Sequence, residues 1–218
     1  MNYRRANKDV IRERTFFFRL LSGVLVFAGS LISVFLSARY ATVVASNPVE
    51  DIILSNTPVY NVEWLFVYGA FAAVIFTIIM VLWYKLPAAP FVLRTGALFL
   101  FIRSIFVSLT HVSPYPYRLL VTHDFLSSVR VTQTFFTGDD LFFSGHVGLT
   151  YLMALLMWED PILRNVYIGI SIMFAIVVLL GHLHYSIDVL AAYFITYTIF
   201  IMATKLFKKD YTRAQHGY

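Results

Sequence analysis

Cysteine is absent from the 218 residues, which excludes disulfides, thiolate catalysis and cysteine-ligated zinc or iron by count. Charge is scarce too. Only 13% of the residues are Asp, Glu, Lys or Arg, against about 25% in a soluble domain. Proline is sparse, and the proline-containing loops around Pro48, Pro58, Pro87, Pro90, Pro114 and Pro116 serve as punctuation between helices. No internal repeat or low-complexity segment is visible, and the length leaves little room for a soluble module beside one membrane domain over 1–218.

What fills the chain is apolar: 59% of the residues are hydrophobic and the mean hydropathy is +0.74. Six runs are long enough, or nearly so, to cross a bilayer at about 20 residues each: 16–38, 64–84, 88–110, 141–158, 165–183 and 187–204. The expectation is an all-α membrane protein, a six-transmembrane-helix bundle. The first run follows an arginine-rich start, and Ala38 to Ala41 could be forced into a signal cleavage pattern. The run is nevertheless longer than a signal core of about 7–15 residues, and Arg19 suits a snorkelling side chain, so the first run reads as a span.

The net charge of +5 sits mainly at the two ends, in Arg4, Arg5, Lys8, Arg12 and Arg14, then Lys205, Lys208, Lys209 and Arg213. Basic flanks beside a span mark cytoplasmic ends facing anionic lipid, a better fit here than nucleic-acid binding. Lys85 and Arg94 put the 85–94 loop on the same side. The 39–63 loop, with Glu50, Asp51 and Glu63 against Arg39, is then outside, as is the near-neutral 111–140 loop. Both termini are expected in the cytoplasm.

Ionisable groups inside a span cost roughly 2.5–3.5 kcal/mol at its centre, so each needs a partner or a purpose. Here they gather at one depth. His146 is expected to open the fourth helix, His182 and His184 to close the fifth, and Asp188 to open the sixth, all near the outer surface. Arg103 lies about 10 Å below that level in the third helix. His184 and Asp188 are four apart across a helix start, a spacing that lets them face each other. A carboxylate on one imidazole nitrogen fixes the tautomer and leaves the other nitrogen as nucleophile or base. His146, from another helix, can serve as acid or base across a phosphorus centre. Ser144 and Gly145 precede it at a helix N-terminus, where free N–H groups favour an anion, so a phosphate could be held without metal or other cofactor. Singly, a histidine at a helix end is ordinarily interfacial, and two or three histidines with a carboxylate could also hold a metal. With six histidines in all, the histidine-rich clusters of membrane oxygenases are not matched.

The run Thr137-Gly138-Asp139-Asp140-Leu141-Phe142-Phe143-Ser144-Gly145-His146 and the run His182-Leu183-His184-Tyr185-Ser186-Ile187-Asp188-Val189, with Ala192-Tyr193 after it, resemble two blocks of the sphingomyelin synthase family. That family lies within the type 2 phosphatidic acid phosphatase superfamily. A looser likeness covers Arg94 to Thr110, including Arg103. Val147 and Ser186 stand where the family usually has threonine, and its acidic, proline-containing first motif is faint around Asp51 to Pro58. The Lys/Arg-Pro motif of the phosphatase branch is missing, and Val178 occupies the place of its second arginine.

The resemblance implies a six-helix bundle that moves a phosphorylated head group from a phospholipid to a lipid alcohol such as ceramide. It implies His184 as nucleophile, Asp188 as its orienting partner and His146 as acid/base. Ser144, Gly145, Arg103, Asp139, His182 and Tyr185 are the candidate substrate-binding residues. Asp139 and Asp140 could meet a cationic head group or an arginine, or be solvated loop residues. Water in place of the acceptor would make the same triad a hydrolase. A transporter or scramblase would need polar residues along the whole membrane depth, not at one face.

Overall fold

A computed structural model describes residues 13–121 and 141–216, and among these all regular structure is helical. The long helices are α1 (Arg14–Val44), α2 (Glu63–Tyr84), α3 (Ala89–Leu109), α5 (Pro161–Leu180) and α6 (Ser186–Leu206). Between them come the shorter α4 (Gly145–Leu156) and, at the end, α7 (Lys208–His216). Among the described residues five helices are long and apolar enough to cross a membrane, which fits a multi-pass integral membrane protein. α2 shows why: its 22 residues rise about 33 Å, close to the hydrocarbon thickness, and Trp64, Tyr68, Trp83 and Tyr84 sit at its two ends where interfacial aromatics belong.

The fourth expected span differs from the expectation. α4 has 12 residues and rises about 18 Å, short of a bilayer. Both of its ends are cut by local chemistry. Upstream, Phe142 takes φ 113°, which a helix cannot accommodate, and its ring stacks on Phe106 of α3. Downstream, Asp160 caps α5 by accepting the Ile162 and Leu163 N–H groups at 3.2 and 3.1 Å, with Pro161 as the first helical residue. The α4 to α5 turn therefore takes up Met157–Glu159, and α5 begins four residues earlier than the hydropathy suggested.

α4 is also the helix most enclosed by protein. Val147, Gly148, Thr150, Leu152, Met153, Ala154 and Leu155 are all buried, so its apolar character on every side faces other helices. It touches α5, α6, α3 and α2. α1 instead pairs with α3 along a seam at heptad spacing, Phe16, Gly23, Ser30 and Ser37, with Val34 and Ala41 beside it. Small residues let two backbones approach where lipid gives no hydrophobic drive, and a Ser33–Ser104 hydroxyl contact of 3.1 Å crosses the seam.

At the end of the bundle remote from His146, His182 and His184, α7 folds back on α3 and α6. Its Asp210 is buried and accepts from Arg19 at 2.8 Å and from Arg94, whose other amino group donates to Ser22 at 2.5 Å. Tyr211 packs on Phe91 and Phe200. Arg94, read from the sequence as an ordinary membrane flank, is thus a structural tie.

Candidate functional site

α5 ends in a turn that projects the histidine segment. His182 N–H bonds to Leu179 O at 3.1 Å and Leu183 N–H to Val178 O at 2.8 Å, the bond pair of a Schellman cap. The residue in the left-handed position of such a cap is usually glycine; here it is His182, at φ 53°. A non-glycine residue held there costs on the order of 1–3 kcal/mol, a cost met with at functional positions. The His182 Nδ1 pairs with the Tyr117 carbonyl at 2.9 Å, so Nδ1 carries the proton in the neutral ring and Nε2 is left as an acceptor. That Nε2 is buried and has no hydrogen-bond partner among the described residues. The sequence expected His182 and His184 to close the fifth helix. They lie instead in the turn after Leu180, because the left-handed residue ends the helix first.

His184 and Asp188 meet directly. His184 Nδ1 lies 3.2 Å from Asp188 Oδ2, with the two residues 3% and 4% exposed. The same Oδ2 accepts the Tyr185 backbone N–H at 3.2 Å, so the carboxylate closes the first turn of α6 while it holds the imidazole. This arrangement puts the His184 proton on Nδ1 and leaves Nε2 with a free lone pair, the form needed for attack on an electrophile.

The other block joins from α4. The Ser144 N–H donates to the Asp188 carbonyl at 3.2 Å, which fixes the start of α4 to the start of α6. Ser144 Oγ is buried without a partner among the described residues. Arg103, 5% exposed and six residues before the end of α3, donates from Nε to the Phe143 carbonyl at 3.1 Å. Its guanidinium passes close to Gly145: a Cβ there would lie 3.3 Å from Nε, a tight contact that the arginine would have to relieve by a few tenths of an ångström. One cation, one helix N-terminus and one unpartnered hydroxyl therefore converge beside the His184–Asp188 pair, a combination suited to an anion. His146, in the first turn of α4 and half-buried, has its ring between Phe66 of α2 and Phe174 of α5, at centroid distances of 4.3 and 5.4 Å.

Tyr185, the remaining candidate substrate-binding residue, has its hydroxyl engaged with the protein. It donates to the Ser113 carbonyl at 2.8 Å and receives the Val49 N–H at 3.3 Å, tying two interhelical connections to the site. Asp139 and Asp140, with Thr137 and Gly138, lie outside the described residues. Asp51, read in the sequence as a loop charge and as the start of a faint acidic, proline-containing motif, is buried against α6. It accepts the Ser186 N–H and hydroxyl, both at 2.7 Å, and the Ile53 and Leu54 N–H groups at 2.9 and 3.1 Å. Burial pushes its carboxyl up, but the bonds from Ser186, Leu54 and Ile53 together outweigh that and hold it below the ordinary value. No local spacing could have shown this contact, because its two halves lie in the first and last thirds of the chain. Among the described residues no group of three or more His, Asp or Glu side chains is placed to share a metal.

Residues 137–205 match the family model described as PAP2 superfamily C-terminal. The matched stretch holds Ser144, Gly145, His146, His184 and Asp188, and it supports the type 2 phosphatidic acid phosphatase superfamily and lipid phosphatase or phosphotransferase chemistry. No curated protein and no solved structure matches the chain.

Proposed function

We propose that this protein is a membrane lipid phosphotransferase. It moves a phosphorylated head group, of the phosphocholine or phosphoethanolamine type, from a phospholipid to a lipid alcohol such as ceramide. The observation that carries this reading is the buried contact between His184 Nδ1 and Asp188 Oδ2, which leaves Nε2 as the nucleophile. The lone pair of Nε2 attacks the donor phosphorus, the bond from phosphorus to the diacylglycerol oxygen breaks, and His146 supplies the proton to that oxygen. In the second half the acceptor hydroxyl gives its proton to His146 while its oxygen attacks phosphorus, and the bond between nitrogen and phosphorus breaks. Arg103, the N–H groups at Gly145 and the Ser144 hydroxyl stabilise the charge on the phosphoryl oxygens. His182 and Asp139 are further substrate-binding residues in this reading. A phosphodiester, with one charge fewer than a phosphomonoester, suits a site with Arg103 and without the cations of the phosphatase branch.

The chain crosses the membrane six times in this reading, with the termini in the cytoplasm and the site facing the extracytoplasmic or lumenal side. α4 completes its crossing through the irregular stretch 141–144. Leu141, Phe143 and Ser144 are buried there, the condition under which non-helical backbone is tolerated at membrane depth. Lys85, Lys205, Lys208, Lys209 and Arg213 all belong to the opposite end of the bundle, as the positive-inside rule requires. A tag at residue 218 should be protected from an impermeant reagent in intact cells; modification there would reverse the orientation.

The activity is tested with purified protein in liposomes holding a head-group-labelled phospholipid, with and without ceramide or diacylglycerol. Label should pass to the second lipid, and His184→Ala and His146→Ala should abolish its passage. Full activity in His184→Ala would end the proposal, and label appearing only in water, with either acceptor present, would replace transfer by hydrolysis.

A further inference from the structure

The catalytic segment is held from outside its own helices. α6 begins at Ser186, and the first N–H groups of any helix have no partner within it. The preceding residue, Tyr185, does not use its side chain to cap them, since its hydroxyl is engaged with Ser113 and Val49. Asp188 takes the Tyr185 N–H with the oxygen that also faces His184. The Ser186 N–H is taken by Asp51, from the connection between α1 and α2.

Asp51 divides its two oxygens between two tasks. Oδ1 closes its own loop on the Ile53 and Leu54 amides, and Oδ2 receives both donors of Ser186. Leu54 then packs with Leu141 and Tyr185 over the joint, and Val49 of the same loop donates to the Tyr185 hydroxyl. Two consecutive residues of the catalytic segment are thus gripped by one loop. The negative carboxylate also sits at the positive end of α6, where it is favoured.

We propose that Asp51 is a positioning residue for the transfer reaction: through Ser186 it fixes the first turn of α6 and so holds His184 and Asp188 in reacting geometry. This inference rests on the reading of His184 as nucleophile. Displacement of a reacting group by about 1 Å can cost about a hundredfold in rate, so a clamp two residues from both members of the pair acts on kcat. It touches neither lipid and leaves KM alone.

The test is the liposome transfer assay on full-length variants. Asp51→Asn keeps the shape but turns an N–H donor toward the Ser186 N–H, which cannot accept it. It should lower kcat about tenfold to a hundredfold with KM for the phospholipid within roughly twofold of wild type. Ser186→Ala should lower kcat by a smaller factor, Ser186→Thr should restore it, and the Asp51→Asn/Ser186→Ala double variant should be no slower than Asp51→Asn alone. A purely structural anchor would show neither the kcat-only effect nor the hydroxyl rescue. Wild-type kcat in Asp51→Asn, a change confined to KM, or independent multiplication of the two effects would overturn the inference. Should Asp51→Asn fail to fold, the Ser186 pair decides: equal rates for alanine, threonine and serine reject it. His184→Ala run alongside separates the two levels. If it stays active, the nucleophile reading falls and this inference with it; if it is dead while Asp51→Asn is unaffected, only the positioning role falls.

Discussion

The Ser144 N–H donates to the carbonyl of Asp188 at 3.2 Å, so the residue that starts α4 is bonded to the backbone of the residue that orients His184. Two blocks that are separate in sequence and lie on different helices thereby form one rigid corner. The Asp188 side chain and main chain serve different partners there, His184 and Tyr185 through the carboxylate and Ser144 through the carbonyl.

Asp188→Asn separates these tasks. Asparagine keeps the main-chain carbonyl for Ser144, and its amide oxygen in the Oδ2 position keeps both the Tyr185 N–H and the His184 Nδ1–H, so the corner should fold. What is lost is the negative charge that stabilises the imidazole ring as it becomes positive on attacking phosphorus. Head-group transfer should fall by about 10²–10³-fold, the range for losing one charge-stabilising contact, with the unfolding temperature close to wild type. Trapping with labelled phospholipid should show the loss of an acid-labile phosphoprotein, and undiminished labelling of Asp188→Asn would contradict the role given to the carboxylate charge.

Packing at the centre gives a prediction of opposite character. A Cβ on Gly148 would lie 2.6 and 2.7 Å from the Phe99 ring and 2.9 Å from Thr196 Oγ1. Phe99 has no room to retreat, being fully buried with its ring edge-on to Phe143. Gly148→Ala should therefore spread α4 from α3 and α6 and destabilise the protein by about 1–3 kcal/mol, the usual cost of overpacking. Thermal unfolding in detergent measures it, and an unchanged midpoint would show that the three helices can shift freely.

The helix spans were largely legible because an 18-residue apolar run has few alternatives, and the boundaries of α2, α3 and α6 fall within a few residues of the hydropathy runs. The meeting of His184 with Asp188 was legible for the same local reason, a four-residue spacing across a helix start. What hydropathy could not show is where chain chemistry overrides it. The left-handed His182 ends α5 early, Phe142 and Asp160 shorten α4, and α7 is too polar to register as an apolar run. Long-range ties were invisible in principle: Asp51 with Ser186, and Asp210 with Arg19 and Arg94, join segments whose separation carries no periodic signal.

The Asp51 tie carries a pH signature. Its folded carboxyl is held below the ordinary value by the Ser186, Leu54 and Ile53 bonds, although burial opposes them. A depressed carboxyl contributes stability that is full above its unfolded value, about 3.9, and is lost as pH falls through the lower folded value. The difference in unfolding midpoint between wild type and Asp51→Asn should therefore be constant from about pH 5 to 7 and shrink below about pH 4. A difference that grew on acidification would have the wrong sign and would remove the assignment of the ionised form to the clamp.

At the opposite end, Asp210 is the common acceptor for Arg19 of α1 and Arg94 of α3, and it is buried while both arginines remain about a quarter exposed, at 26% and 23%. Its removal leaves two guanidinium groups facing each other, which are partly relieved by water. The cost of Asp210→Asn should fall between the ~1 kcal/mol of an exposed pair and the ~3–5 kcal/mol of a fully buried one. It should be felt locally, as loosening of α7, because Tyr211 on Phe91 and Phe200 and the partly exposed Arg213–Glu13 pair then hold that helix. The absence of native cysteine makes the measurement direct: a spin label on Gln215→Cys should be restrained in the otherwise wild-type chain and gain motion when Asp210→Asn is added. Head-group transfer should be little changed, since the site lies at the other end of the helices. Equal label mobility in both proteins would mean that the arginines do not hold α7, and that its packing on the aromatic side chains suffices.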